Sequence, residues 1–184
     1  MDDEQQAIVD CQMGKIESYR ILVDKYKAKA YYAALLYTGD RDDALDLSQE
    51  AFYRAFRAIK SFKVGKNFYT WFYQILKNLC INHFNRIKKR NIIYSDNPDK
   101  GGSKTYFVSS SNPDEIFEDH EMRTLLWEAL NRLKPEDREI IILKEFNDFS
   151  YKEIAEVLKI PIGSVMSRLY YARKKLAKQL EDFK

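Results

Sequence analysis

SYKEIAEVLKIPIGSVMSRLYYARKKLAKQL, residues 150–180, decides the fold of the second half of the chain. Ser150 with Glu153 three positions later is a capping box. It opens a short helix with Ile154, Ala155, Val157 and Leu158 turned inward. IPIGS then makes a tight connection into a last helix from about Ile162 to Glu181. Short helix, compact turn and longer helix read as a helix-turn-helix, whose second helix lies in the major groove of DNA. On a wheel of about 100° per residue, Val165, Leu169, Ala172 and Leu176 form one apolar stripe. Ser164, Ser167, Tyr170, Tyr171, Lys174 and Lys178 lie opposite, and Arg168 and Arg173 flank the stripe. Hydroxyls and cations on that face suit base edges near the helix start and phosphates farther along. A plain helical hairpin with a basic solvated helix shares part of this pattern. The compact turn, the capping box and the charged face together weigh toward DNA.

Upstream, helical periodicity continues. A helix begins near Pro113-Asp114 and carries Ile116, Met122, Leu125, Leu126, Ala129, Leu130 and Leu133. Pro135 fits the first position of the next helix, with Glu136 and Asp137 in its first turn and Ile140, Ile141, Leu143 and Phe146 as apolar positions. Residues 114–184 thus form one helical body. Before it, 91–113 (NIIYSDNPDKGGSKTYFVSSSNP) loses all periodicity and reads as a flexible linker. Residues 91–119 hold two lysines against six acids, so the tether is mildly acidic.

A second helical body spans 1–90. Ile16, Tyr19, Leu22, Val23, Tyr26, Ala30, Ala33, Ala34 and Tyr37 recur at helical spacing over 14–38. Gly39 suits a C-cap, and Asp40 an N-cap for a helix from Arg41 to Ile59. That helix would bury Ala44, Leu47, Ala51, Phe52, Ala55 and Ile59. A short loop, SFKVGKN, follows, and Asn67 can cap a long helix from Phe68 to about Arg90. No convincing strand is present. The expected fold is all-α: two small helical domains, 1–90 and 114–184, joined by a linker, the second with a helix-turn-helix.

Charge is segregated along the chain. The net charge is only +3, yet residues 51–90 hold ten Lys or Arg, no acid and ten Phe, Tyr or Trp. Residues 1–50 hold six Lys or Arg against eleven acids. Such asymmetry favours a site-specific polyanion partner over general stickiness. Cations neutralise phosphates, and exposed aromatic faces can stack on unpaired bases. A buried aromatic helix with a solvated basic edge would look the same. The wheel of 68–90 limits the aromatic reading, since Phe68, Phe72, Ile75 and Leu79 share a core seam with Tyr69, Trp71, Leu76 and Cys80 beside it. The opposite face shows Thr70, Gln74, Lys77, Asn78, Ile81 and Asn85. With Arg86, Lys88, Lys89 and Arg90, these are the better DNA-contact positions.

Several classes are set aside. No apolar run reaches the roughly 20 residues of a membrane span, and the acidic start MDDEQQAIVD has the wrong charge for a signal peptide. Cys11 and Cys80 are the only cysteines, too few for a disulfide framework or zinc spacing, which points to a reduced, cytoplasmic setting. His83 and His120 are the only histidines and have no metal-ligand spacing. No phosphate-binding loop or nucleophile elbow occurs, so neither an enzyme nor a cofactor is expected.

LKPEDREIIILKEFNDFSYKEIAEVLKIPIGSVMSRLYYARKKL (133–176) resembles domain four of bacterial RNA polymerase sigma factors. DALDLSQEAFYRAFRAIKSF (43–62) followed by NFYTWFYQILKNLCINHF (67–84) resembles domain two. Both in order, with only a short linker between, resemble the extracytoplasmic-function (group IV) subfamily. The resemblance implies promoter-specific initiation with core RNA polymerase, minus-ten recognition and melting by 1–90, and minus-thirty-five recognition by 114–184. It implies that Asp43, Asp46, Leu47, Gln49, Glu50 and Arg54 dock on the coiled coil of the largest polymerase subunit. Helix capping also accounts for Asp42 and Asp43, and both roles can hold together. It implies that Lys63, Gly65, Lys66 and Asn67 lie at a pocket for a flipped minus-ten base, where extrusion costs a few kcal/mol and a shaped polar site must compensate.

In the helix-turn-helix, Ser164, Ser167, Arg168 and Arg173 match the family pattern, whereas Met166 and Tyr171 stand where basic residues are frequent. The expected minus-thirty-five set is Ser164, Met166, Ser167, Arg168, Tyr170, Tyr171, Arg173 and Lys174. The second-subunit flap and an anti-sigma factor are further partners implied by the resemblance. The linker either threads the polymerase channel as a nucleic-acid mimic or serves as a simple tether. A stand-alone helix-turn-helix regulator would explain 114–182 but leave 41–90 without a role. A structural adaptor would show no salt-dependent DNA affinity.

Overall fold

Asp40 is where the first body turns. Gly39 ends the preceding helix in the left-handed region (φ 69°), which glycine enters without strain, and its N–H donates to the Leu35 carbonyl. The Asp40 carboxylate then accepts the N–H groups of Asp42 and Asp43, both at 2.9 Å. The reversal sets α2 (Tyr19–Thr38) against α3 (Arg41–Ala58). The structure is a computed structural model that describes residues 2–93 and 117–181. The expected linker and the onset of the helix near Pro113 lie outside the described residues. The chain divides into two compact units, Met1–Val108 and Ser109–Lys184. Every element among the described residues is helical, so the fold is all-α as the periodicity indicates.

The first unit holds α1 (Asp3–Gln12), α2, α3 and α4 (Phe68–Ile93). Alanines on α2 (Ala30, Ala33, Ala34) and α3 (Ala44, Ala51, Ala55) are buried, and short side chains let helices approach closely. Phe52 meets Phe72 of α4 with ring centroids 4.4 Å apart. The Tyr19 hydroxyl donates to the Phe52 carbonyl at 2.8 Å. The α4 seam is rotated slightly from its expected position: Phe68, Tyr69, Phe72, Tyr73 and Leu76 are buried, whereas Trp71 and Ile75 are half-buried.

Helix α1 is absent from the periodicity reading. Asp2 caps it, accepting the Glu4 N–H at 3.0 Å, and Ala7, Ile8 and Cys11 are buried. Glu4 is the odd member of this face, a carboxylate only 7% exposed. A buried charge is tolerated only when paired and hydrogen-bonded. Here Lys25 Nζ donates to it at 2.5 Å and the Tyr26 hydroxyl at 2.6 Å. The bond to Glu4 raises the Lys25 pKa, and burial, followed by the phenol's own bond to Glu4, pushes Tyr26 up.

The second unit holds α5 (Phe117–Arg132), α6 (Pro135–Ile141), α7 (Tyr151–Leu158) and α8 (Ile162–Glu181). Pro135 opens α6 and Ser150 with Glu153 forms the capping box of α7, both as read from sequence. Between α6 and α7 lies a wide π-helical turn, Ile142–Phe146. A π turn takes in more residues than an α turn and shifts those after it around the axis. Ile142 is therefore fully buried, while Phe146, an expected apolar position, is exposed. Asn147 closes the turn from inside, its side-chain amide donating to the Ile142 carbonyl at 3.0 Å. The core gathers Ile140, Ile141, Leu143, Ile154, Val165, Leu169 and Ala172.

Candidate nucleic-acid interface

The loop before α4 is built from its floor upward. Phe62 is buried, its ring 5.8 Å from Phe68 and 5.2 Å from Trp71. The chain then turns at 63–66, where the Lys66 N–H donates to the Lys63 carbonyl at 3.2 Å. Gly65 occupies the third position with φ 88°, the positive value a type II turn requires there. A side chain at Gly65 would meet nothing within 4 Å, so backbone torsion rather than space selects glycine. Asn67 caps α4 as expected, accepting the Thr70 N–H at 3.0 Å. Lys63, Lys66 and Asn67 are exposed.

Two glutamines of α1, assigned no role by the sequence reading, hold this loop. Gln5 Oε1 accepts the Gly65 N–H at 2.9 Å while its Nε2 donates to the Lys66 carbonyl at 3.3 Å. Gln12 Nε2 donates to the carbonyls of Ile59 at 2.9 Å and Phe62 at 2.8 Å.

Along α4 the expected polar face divides. Asn78 and Arg86 are exposed, and Gln74 and Lys77 are half-buried. Thr70 departs from expectation. It is 5% exposed, because the first turn of α4 sinks into the core beside Phe68 and Tyr69. The side chains of Lys88, Lys89 and Arg90 lie outside the described residues. Burial pushes the Cys80 thiol up to about 12, which fits an inert hydrophobe.

On α3, Asp46 and Gln49 are exposed, Leu47 is half-buried, and Glu50 pairs with Arg54 at 2.6 Å. Asp43 is turned toward α4, where its carboxylate lies 3.0 Å from His83 Nε2. Leu45 and Tyr53 are also exposed, one helical turn either side of Gln49, and make an apolar edge that the sequence reading left out.

The helix-turn-helix pivots on Lys159, in the left-handed region at φ 54° and ψ 46°, with its N–H bonded to the Ala155 carbonyl. On α8, Ser167, Arg168, Tyr170, Tyr171 and Lys174 are exposed, Ser164 is half-buried, and Met166 is 56% exposed. The Ser167 hydroxyl donates to the Ser164 carbonyl at 3.1 Å. Tyr170 and Tyr171 meet edge to face at 5.3 Å. Arg173 is paired with Glu145, a partner the wheel did not reveal.

Residues 22–90 match the model of Sigma-70 region 2, and residues 123–176 that of Sigma-70, region 4. The chain is 32% identical over 181 residues to the ECF RNA polymerase sigma factor SigW of Bacillus subtilis (strain 168), covering 95% of each chain. This chain belongs to the ECF sigma factors. It is also 30% identical over 176 residues to the ECF RNA polymerase sigma-E factor of Escherichia coli (strain K12), across 92% of this chain and 90% of that one. Its fold is similar to the sigma factor RpoE of Bartonella quintana, solved with the anti-sigma factor NepR, with TM-score 0.67, 25% identity and 90% and 98% coverage. As an ECF sigma factor the protein is an initiation factor rather than an enzyme, acting with core RNA polymerase at promoter DNA. A stand-alone operator-binding regulator leaves the region 2 match without a role. Among the described residues no helix is long and apolar enough to cross a membrane.

Proposed function

We propose that this sigma factor divides its work between its two helical bodies. Residues 1–90 dock on the largest-subunit coiled coil through α3, using Asp43, Asp46, Leu47, Gln49, Glu50 and Arg54, and open the promoter through the loop and α4. A flipped minus-ten base enters beside Lys63, Gly65, Lys66 and Asn67, with Gln74, Lys77, Asn78 and Arg86 along the adjoining strand. Residues 114–184 read the minus-thirty-five element through α8 and meet the second-subunit flap, and residues 91–113 tether the two. Thr70 leaves the contact set, since a buried side chain reaches no DNA. The factor works in the cytoplasm and is held in check by an anti-sigma factor, a partner seen with the similar Bartonella RpoE.

The braced turn at 63–66 carries the reading. Its lysines and Asn67 are exposed, while its backbone is held by side-chain and turn hydrogen bonds. A rigid polar rim beside a basic helix suits capture of an unstacked base, because ordering is already done before the base arrives. Lys63→Ala with Lys66→Ala is expected to impair promoter opening, read by permanganate reactivity of unpaired thymines, more than binding to core polymerase. Equal loss of both would refute this division of labour.

A further inference from the structure

We infer that α1 is the positioning element of the minus-ten loop, with Gln5 and Gln12 setting base discrimination without touching the base. The inference rests on the loop reading above and extends it to a helix outside the matched region 2 span. Gln5 and Gln12 are seven residues apart, so they lie on one face of α1. Gln5 grips the tip of the turn at Gly65 and Lys66, and Gln12 grips its entry at Ile59 and Phe62. The two amides therefore fix both ends of a loop about fifty residues or more distant in sequence.

The chemistry of the Gln5 contact selects glutamine. One amide oxygen receives an N–H and one amide nitrogen gives to a C=O, so the side chain needs both a donor and an acceptor at its end. Glutamate supplies only the acceptor, and leucine neither. The clamp is anchored in turn, since Glu4 of α1 is held by Lys25 and Tyr26 of α2. Backbone position at Gly65 and Lys66 thus follows α1, which follows α2. A flipped base is read by the position of polar groups in its pocket, and a loop free to shift accepts wrong bases more readily.

The test uses full-length protein assembled with core polymerase on a promoter library randomised in the minus-ten element. Gln5→Leu, Gln5→Glu and Lys63→Ala/Lys66→Ala are compared for open-complex yield, core binding and thermal unfolding. Gln5→Leu is expected to lower the preference for the best over mismatched bases roughly 2- to 10-fold, the loss of one or two hydrogen bonds. Gln5→Glu should fall between, because it still accepts from Gly65, and it serves alone if the leucine variant does not fold. Amide exchange at Gly65 should quicken in Gln5→Leu. A uniform drop across all library members, or an unchanged preference, overturns the inference. If the lysine variant loses opening while Gln5→Leu keeps its preference, the loop reading stands and this inference alone falls. If the lysine variant opens every promoter normally, both fall together.

Discussion

Arg173 on α8 donates to a single oxygen of Glu145, Oε1, from Nε at 2.9 Å and from Nη2 at 2.5 Å. The cation proposed to meet DNA is thus already neutralised by the turn that precedes α7. Both side chains are about half exposed, so the pair is worth at most about 1 kcal/mol and a phosphate can displace the carboxylate. Glu145→Gln is expected to tighten promoter binding a few-fold and to steepen its salt dependence by up to about 0.9, one further phosphate contact. An unchanged salt slope would remove Arg173 from the DNA contacts.

Leu45 and Tyr53 stand exposed on α3 beside Gln49. Interface energy concentrates in a few large side chains, tyrosine prominent among them. Leu45→Ala with Tyr53→Ala should weaken core polymerase binding by roughly tenfold or more, about 1.4 kcal/mol, while the melting temperature holds. Titration of labelled factor against core enzyme reads this. Retained affinity would assign docking to the charged residues of α3 alone.

Replacing Ser167 and Arg168 by alanine should change which upstream element is preferred. Both are exposed on the outer face of α8. Transcription from a library randomised in the minus-thirty-five element measures the effect, and an unaltered ranking would count against α8 as the reading helix.

Stability should fall at alkaline pH in a definite order. Cys80 has its pKa pushed from 9.0 to about 12, chiefly by burial, and Tyr19, Tyr26 and Tyr69 are pushed above their ordinary 10.0 for the same leading reason. A raised folded pKa means the unfolded chain releases its proton first. The contribution is therefore complete below the unfolded pKa and is lost as pH rises, at up to about 1.4 kcal/mol per pH unit for each group. Loss should begin near pH 9 from Cys80 and from Cys11, whose thiol burial also raises, and steepen above 10 as the tyrosines join. Urea titrations from pH 8 to 11 follow it, and Cys80→Ala should shrink the first limb to the part that Cys11 contributes, leaving the tyrosine limb unchanged.

The architecture was legible because its signals are local. Gly39-Asp40, Asn67, Pro135 and the Ser150–Glu153 box all cap or open helices where the sequence places them. Helix α1 escaped because its inward face begins with Glu4, a residue that periodicity counts as polar and that only Lys25 and Tyr26, twenty-one and twenty-two residues away, make tolerable inside. The Gln5 and Gln12 clamps and the Glu145–Arg173 pair failed to show for the same reason. Each joins groups remote in sequence, and no spacing rule reaches across such a gap. Thr70 and Phe146 were misplaced for a different cause: a wheel assumes one pitch and one axis, and these two sit where a helix begins and where a π turn intervenes.

That π turn at Ile142–Phe146 also acts as a phase device. Each residue carried by a helix advances its successors by about 100°. The number of residues between Pro135 and Ser150 therefore sets the angular bearing from which α8, the proposed reading helix, leaves its support. Removing one residue there would restore an ordinary helical pitch and leave each flanking motif intact in composition. It would also swing the exposed Ser167–Arg168 face of α8 out of alignment with the core beneath it. In this half of the molecule, aim is encoded as a residue count rather than as any particular side chain.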